Sequence, residues 1–145
     1  MAFMTFTRDR DGLPLFHAAK PYTALGSWLI TDVSIHKAVA LDALAMLADV
    51  SVGRDPFTPW SSENYSVAFS SAGLSISAHY ADEQSEYRIA EAREALDAFW
   101  RFLASQPERT HMVREYYPDL PETEAEIRYW EDHWGRPHPD RGRLF

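Results

Sequence analysis

Alternation between apolar and small polar residues over positions 64–80 restricts the fold more than any other feature of this chain. Apolar residues occupy positions 65, 67 and 69, and the pattern resumes at Leu74 after a Ser-Ala-Gly turn. A repeat of two residues places alternate side chains on opposite faces of a strand. The segment is therefore predicted to form a β-hairpin of an antiparallel sheet, with one apolar face and one polar face.

Two helices are predicted to cover the apolar face of this hairpin. Residues 36–50 are rich in Ala and Leu and apolar on almost every side, so this helix is expected to be buried. Apolar residues at positions 92, 96, 99 and 103 predict a second, amphipathic helix over 91–105. Asp32 or Ser34 is expected to cap the first helix by accepting hydrogen bonds from its free N–H groups.

The segments before and after the hairpin have weaker patterns. Residues 1–26 are interrupted by Pro14, Pro21 and Gly26, which predicts an irregular N-terminal arm, with a short edge hairpin as the alternative. Residues 27–31 form a short apolar run and are predicted to be a buried strand. A third strand of the sheet is expected to follow the hairpin after a short acidic turn.

The C-terminal third of the chain is predicted to hold two further helices. The first covers 108–117, and the second begins either with a T-x-x-E capping box at Thr123 or with Pro121 in its first turn. Gly135 stands where a left-handed residue commonly ends a helix. Residues 135–145 are polar and are expected to form an extended tail.

These elements predict a single α+β domain over 1–145. The expected architecture is a three- to four-stranded antiparallel sheet packed by helices on one face, with additional C-terminal helices. A chain of 145 residues fits the usual size of one domain and is long enough to bury a core without disulfides or metals.

The charge of the chain points to the kind of partner it would bind. Asp and Glu number 22 against 14 Lys and Arg, which gives a net charge of −8. Because this charge would repel phosphates, we expect no binding of nucleic acid. An acidic surface favours solubility and attracts a cationic partner.

Cysteine usage and hydropathy give expectations about location. The chain has no cysteine, which excludes disulfides, thiolate zinc sites and cysteine nucleophiles, and which fits a cytoplasmic protein. The N-terminal residues lack the apolar core of a signal peptide. No segment reaches the roughly 18–20 apolar residues needed to span a membrane, so no membrane association is expected.

No metal site is expected from the C-terminal histidines. His133, His138 and Asp140 are close in sequence, with Glu131 nearby, and such residues are common metal ligands. A glycine and two prolines lie among them, however, so the two histidines cannot share one helix face as in an H-E-x-x-H motif. Two exposed histidines in a tail are the simpler interpretation.

The chain carries no recognisable catalytic motif. It has no G-x-S-x-G elbow, no G-x-G-x-x-G loop and no Walker loop. His79 is the best catalytic candidate, because it alternates onto the polar face of its strand with Ser75 and Ser77; a surface histidine is the competing interpretation. We therefore expect no enzyme, no catalytic residue and no cofactor, with a small-ligand or enzyme site around His79 as the alternative.

The middle of the chain resembles a known class of proteins. The sequence ITDVSIH leads into a helix, NYSVAFSSAGLSISAHY forms a hairpin, and a short strand then precedes a helix that ends ALDAFWRFL. This order resembles the small immunity proteins of bacterial polymorphic-toxin and contact-dependent inhibition systems. The resemblance implies an acidic, cytoplasmic, non-enzymatic α+β protein that neutralises a cognate toxin, often a basic nuclease, by covering its active site.

Acidic residues beside aromatic ones are the predicted contacts with such a partner. Carboxylates steer and orient a basic surface, and Tyr or Trp side chains anchor interfaces. The chain is expected to act as a monomer that binds a cognate toxin protein. The predicted partner-binding residues are Asp82, Glu83, Glu86, Glu122, Glu124, Glu126, Tyr129, Glu131 and Asp132.

Overall fold

The computed structural model describes residues 3–108 and 113–145. Its helices and strands are β1 (Met4–Arg8), β2 (Pro14–Ala18), α1 (Thr23–Trp28), α2 (Lys37–Ser51), β3 (Trp60–Ser61), β4 (Tyr65–Ser70), β5 (Gly73–Ala78), β6 (Gln84–Tyr87), α3 (Ile89–Ser105) and α4 (Glu122–Trp134). Strands β1 and β2 form a two-stranded antiparallel sheet. Strands β3 to β6 form a four-stranded antiparallel sheet in chain order. The predicted α+β fold is confirmed.

The predicted hairpin is confirmed as β4 and β5, which pair with Phe69 opposite Leu74. Its turn requires a glycine at position 73. Gly73 has a φ of 129°, and a Cβ atom there would lie 1.9 Å from the carbonyl oxygen of Tyr87. Only a residue without a side chain permits this close approach. The predicted third strand is confirmed as β6, which pairs with β5.

Helices cover the inner face of the four-stranded sheet. Val67, Ile76 and Tyr87 are buried on this face, from three neighbouring strands. Helix α2 packs against β4 and β5, and α3 packs against both β5 and α2. The prediction that α2 is buried is confirmed, since most of its residues belong to the hydrophobic core.

The N-terminal arm is not irregular, so that prediction is wrong and the hairpin alternative is confirmed. Strands β1 and β2 pair over their full length, from Met4 opposite Ala18 to Arg8 opposite Pro14. Phe6 of this hairpin packs edge-on against Phe99 of α3, with ring centroids 4.9 Å apart. Proline is compatible with the hairpin because Pro14 is the first residue of a strand at a sheet edge.

Residues 27–31 are helical, so the predicted strand is wrong. Trp28 ends α1, and the chain continues as one π-helical turn over Leu29–Val33. A short apolar run is compatible with either a buried strand or a buried helix, and the alternating pattern that would favour a strand is absent here. Trp28 and Leu29 are fully buried in the helical arrangement.

Asp32 and Ser34 do not cap α2, which is a second correction in this region. The residue at the cap position is His36, and it makes no side-chain capping bond. The Asp32 carboxylate instead accepts hydrogen bonds from the backbone N–H groups of Asn64 and Tyr65, both at 3.1 Å. Asp32 thereby fixes the start of β4 to the π-helical turn.

The last helix is confirmed, but its first turn differs from the capping-box prediction. Pro121 occupies the N-cap position, so Thr123 lies inside the helix. Gly135 ends α4 in the left-handed conformation, with φ 67°, as predicted. Of the helix predicted over 108–117, residues 109–112 lie outside the described residues, and the described residues of that range are not helical.

The C-terminal residues fold back onto the core and do not form an extended tail. The Arg136 guanidinium makes two hydrogen bonds to Asp49 of α2, at 3.1 and 2.7 Å. Arg143 makes two to Asp97 of α3, at 2.7 and 2.8 Å, and one to Asp140 at 2.9 Å. The polar character that suggested solvent exposure instead reflects partners for buried carboxylates.

We expect Arg143→Met to lower the free energy of unfolding by about 1–3 kcal/mol. The variant keeps the apolar stem but leaves Asp97 and Asp140 without this cation, and their side chains are only 12% and 3% exposed. Urea unfolding measures the change, and Arg101→Met, at an exposed position of α3, is the control. Equal midpoints for the two variants would contradict this role of the C-terminal segment.

We expect Gly73→Ala to destabilise the protein more than Gly53→Ala. Both glycines have positive φ, but a Cβ at Gly53 would meet nothing within 4 Å. The control should therefore cost about 1 kcal/mol for its backbone conformation alone. The Gly73 variant should cost at least about 2 kcal/mol more, because β6 must move away from the new methyl group. Thermal unfolding of both variants tests the difference.

Candidate functional site

Helix α4 is oriented by the residues that it buries. Ala125, Ile127 and Trp130 face the protein interior. The Trp130 indole N–H donates a hydrogen bond of 2.8 Å to Asp42 of α2, which fixes the rotation of the helix. Burial raises the pKa of Asp42, and the bond from Trp130 opposes this shift. The remaining side of α4 faces solvent and carries exposed aromatic and acidic side chains.

An open depression lies on the outward side of α4, with a volume of about 440 Å³. We call it the tyrosine basin; its lining residues are Tyr116, Tyr117, Tyr129, Asp132 and His133. The rings of Tyr116 and Tyr129 lie 4.3 Å apart, and the His133 ring lies nearly parallel to Tyr129 at 6.4 Å. Tyr129 is 45% exposed, so its ring is available to a partner.

Hydroxyl groups of the basin are directed at carboxylates. The Tyr116 hydroxyl donates to Glu126 at 2.5 Å, and the Tyr117 hydroxyl donates to Asp132. Burial and the bond to Glu126 raise the pKa of Tyr116 to about 12. The bond to Asp132 raises the pKa of Tyr117. Both phenols therefore remain protonated at neutral pH, with their protons committed to carboxylates.

The aromatic surface continues beyond the basin. The Trp134 ring lies 4.9 Å from that of His133 and 4.4 Å from that of Phe57, which belongs to the loop before β3. Trp134 remains 37% exposed. Trp134 is the last residue of α4 and is covered less than Trp130, which is 3% exposed.

Some predicted contact residues are engaged within the protein. Glu122 is buried and lies 3.6 Å from the ammonium group of Lys37. Glu131 makes a two-pronged pair with Arg141, at 2.7 and 2.6 Å, and the bond from Arg141 lowers the pKa of this carboxyl group. The charges of these two residues are therefore balanced locally. Helix periodicity alone could not reveal their partners, because Lys37 and Arg141 both lie outside α4.

The other predicted contact residues divide between two places. Glu124 and Asp132 are exposed on α4, and Glu126 is half-buried beside Tyr116. The remaining acidic residues, Asp82, Glu83 and Glu86, are exposed at the β5–β6 turn and on β6. Tyr116 and Tyr117, which sequence reasoning assigned to a helix, complete the basin. Tyr117 directly precedes Pro118, and a residue in that position is disfavoured in a helix, which was a signal against this assignment.

The polar face of the sheet carries an open groove of about 650 Å³. Ser75, Ser77 and Gln84 line it on the sheet side, and Phe57 lines it from the loop. His79 is not among its lining residues. The ring of His79 is exposed, with Nε2 2.8 Å from the Ser66 hydroxyl and Nδ1 3.3 Å from the carbonyl oxygen of Glu63.

His138 is buried and has a structural role. Its Nε2–H donates to the carbonyl oxygen of Leu41 at 2.9 Å, and its Nδ1 accepts from the backbone N–H of Asp140 at 3.0 Å. Both ring nitrogens of the neutral form are thus satisfied, which leaves none for a metal. Within 3–108 and 113–145, no group of three or more His, Asp or Glu residues is arranged to hold a metal ion. The interpretation of His138 as an exposed tail residue is wrong.

No protein-family model, curated protein or solved structure matches the chain. In the part of the chain that the structure describes, no helix has the length and apolar character needed to cross a membrane.

Acid should destabilise the protein through His138. Burial lowers the pKa of His138 below its ordinary value of 6.5. The unfolded chain therefore takes up this proton first as the pH falls. The contribution to stability is complete above about pH 6.5 and declines below it, towards the pKa of the folded state.

Denaturant unfolding between about pH 7.5 and pH 5 measures this decline. We expect His138→Gln, which retains an N–H donor, to flatten the pH dependence in this window. His133→Gln is the control, since His133 is exposed. Glu131 titrates at lower pH, because its pKa lies below 4.5. If the free energy of unfolding of His138→Gln falls with pH as steeply as that of the unmodified protein, the assignment of this pH dependence to His138 is contradicted.

Proposed function

We propose that this chain is a non-enzymatic protein-binding module, and most concretely an immunity protein that neutralises a basic toxin domain by occluding its active site. The proposal rests on the residues that are exposed on the outward side of α4. Exposed aromatic rings lie there beside carboxylates, on a helix whose orientation is fixed by buried contacts. Aromatic side chains that remain exposed on a rigid element are typical anchors of protein interfaces.

The charge of α4 supports a cationic partner. The helix carries five carboxylates and one arginine, Arg128. Two of the carboxylates, Glu122 and Glu131, are paired with Lys37 and Arg141. Of the other three, Glu124 and Asp132 are exposed and Glu126 is half-buried, and only Arg128 on the helix opposes them. This excess would attract a basic surface and orient it before contact.

Occlusion of an active site is the mechanism that this surface supports best. It would require the aromatic residues to anchor the partner while the carboxylates contact its basic residues. The exposed acidic residues at the β5–β6 turn are a second place that would attract a basic protein. An immunity protein needs no chemistry of its own, since covering the catalytic groups of the toxin is sufficient.

A small-ligand site is the second candidate, and the groove on the polar sheet face favours it. The groove combines serine hydroxyl groups with an aromatic wall at Phe57, and such sites orient ligands through few polar groups. It is open, and His79 does not line it, so nothing in the groove supports the catalytic role considered for this histidine. Saturable binding of a small molecule, with resonance shifts confined to Ser75 and Ser77, would favour this candidate.

The test uses the purified chain and the toxin domain encoded by the gene immediately upstream. We expect a tight complex that loses at least about tenfold in affinity when salt rises from about 50 to about 300 mM. The double variant Glu124→Lys/Asp132→Lys should weaken binding at least about tenfold and restore toxin activity. Isothermal titration calorimetry and a toxin activity assay give the two measurements.

Glu94→Lys is the matched control, because Glu94 is exposed on α3 and the charge change is the same. Unchanged affinity in the α4 double variant would exclude α4 as the interface. A tight complex in which the toxin keeps its full activity would contradict the immunity function and leave a binding module. If the chain forms no complex with any basic toxin, both the immunity function and the binding-module function are contradicted.

A further inference from the structure

We propose that the tyrosine basin is a seat for an arginine side chain of the protein partner. The inference rests on the proposed function for the existence of a partner, and it adds the chemistry of the contact. The basin is a depression of about 440 Å³ formed mainly by tyrosine rings, with a carboxylate in its wall.

The ring faces of the basin attract cations. The face of an aromatic ring carries partial negative charge and binds a guanidinium or ammonium group within about 6 Å of its centroid. The protein already shows this contact at the rim of the basin, where the guanidinium carbon of Arg128 lies 5.9 Å from the centre of the Tyr117 ring. Tyr129 offers a similar ring that is almost half exposed.

The carboxylates supply the matching hydrogen-bond acceptors. Asp132 accepts from Tyr117 through Oδ2. Among the described residues, Asp132 Oδ1 has no hydrogen-bond donor, so it can accept from an incoming N–H group. Within that described part of the chain, Glu126 accepts from Tyr116 through Oε1 and has no donor at Oε2. Because both hydroxyl protons point at carboxylates, the tyrosines offer the basin their ring faces and Asp132 offers an acceptor, which suits a cation.

Arginine fits this combination better than lysine. A guanidinium group is planar and weakly hydrated, so it can stack on a tyrosine ring and donate to a carboxylate at the same time. An ammonium group is compact and strongly hydrated and lacks the planar face. The excess of carboxylates over Arg128 on the exposed side of α4 leaves negative charge for the incoming residue to neutralise.

The experiment titrates N-acetyl-L-arginine amide into the isotope-labelled protein and follows its NMR spectrum. The matched probe is the citrulline analogue, which has a similar shape and no charge. We expect saturable shifts at Tyr129, Asp132 and His133 with the arginine probe, and at least about threefold weaker binding of the citrulline probe. Equal affinity for both probes, or shifts centred on Asp82 and Glu83, would overturn the proposal.

Variants separate the ring from the charge. Tyr129→Leu removes the ring, and Asp132→Asn removes the charge while keeping the shape. Each should weaken binding of the arginine probe at least about threefold. Glu94→Gln, which removes an exposed charge on α3, should leave binding unchanged. Both α4 positions are exposed, so the variants should fold, and their amide spectra verify this. Unchanged binding in both variants would also overturn the proposal.

The same variants distinguish this inference from the proposed function. If the toxin domain binds, and Tyr129→Leu and Asp132→Asn weaken that complex in step with the arginine probe, the inference is supported. If the toxin is neutralised with unchanged affinity by both variants, the inference fails and the proposed function stands. If the arginine probe binds as expected but no toxin does, the arginine-binding site is supported and the proposed function fails.

Discussion

Burial of the charged groups of α2 is the constraint on which the rest of the structure depends. This helix packs against the sheet, α3 and α4, so its polar side chains need partners inside the protein. Lys37 pairs with Glu122, Asp42 accepts from Trp130, and Asp49 pairs with Arg136. These partners come from the start, the middle and the region just after α4. The pairing of these charged groups of α2 therefore positions α4 and determines which side of α4 remains exposed.

The C-terminal residues extend the same principle to α3. Arg143 bridges Asp97 and Asp140, and His138 donates to a backbone carbonyl of α2. These contacts are paired ions or neutral hydrogen bonds, so removal of one partner would leave the other buried and unsatisfied. The C-terminal segment thus closes the core at the side where α2 and α3 meet.

The division of the carboxylates connects this architecture to function. A net charge of −8 describes the whole chain, but Asp49, Asp97 and Glu131 are each held by an arginine. The charges that can act on a partner are those left without an internal cation, above all on the outward side of α4 and at the β5–β6 turn. The aromatic residues divide in the same way, since Trp130 is buried and Tyr129 is exposed.

The sequence by itself determined the elements whose patterns are local. Alternation over 64–80 specified β4 and β5, and helical periodicity specified α3, because one face of each is buried. Helix α2 was specified by its Ala- and Leu-rich composition, which is apolar on almost every side. Residues 1–26 were misassigned because prolines, which suggested irregular structure, are also compatible with strand ends. Residues 27–31 were misassigned because a short apolar run does not distinguish a helix from a strand. The exposed residues Glu124, Tyr129 and Asp132 were predicted correctly as surface positions.

Only the tertiary structure decided how the charged and aromatic side chains are used. Glu122 and Glu131 looked equivalent to Glu124 in sequence, yet Lys37 and Arg141 neutralise them. His138 looked like a tail residue, yet it is satisfied inside the core. Tyr116 and Tyr117 join α4 from a preceding loop. Such contacts join residues of different elements, and the periodicity within one element carries no information about its partners in another.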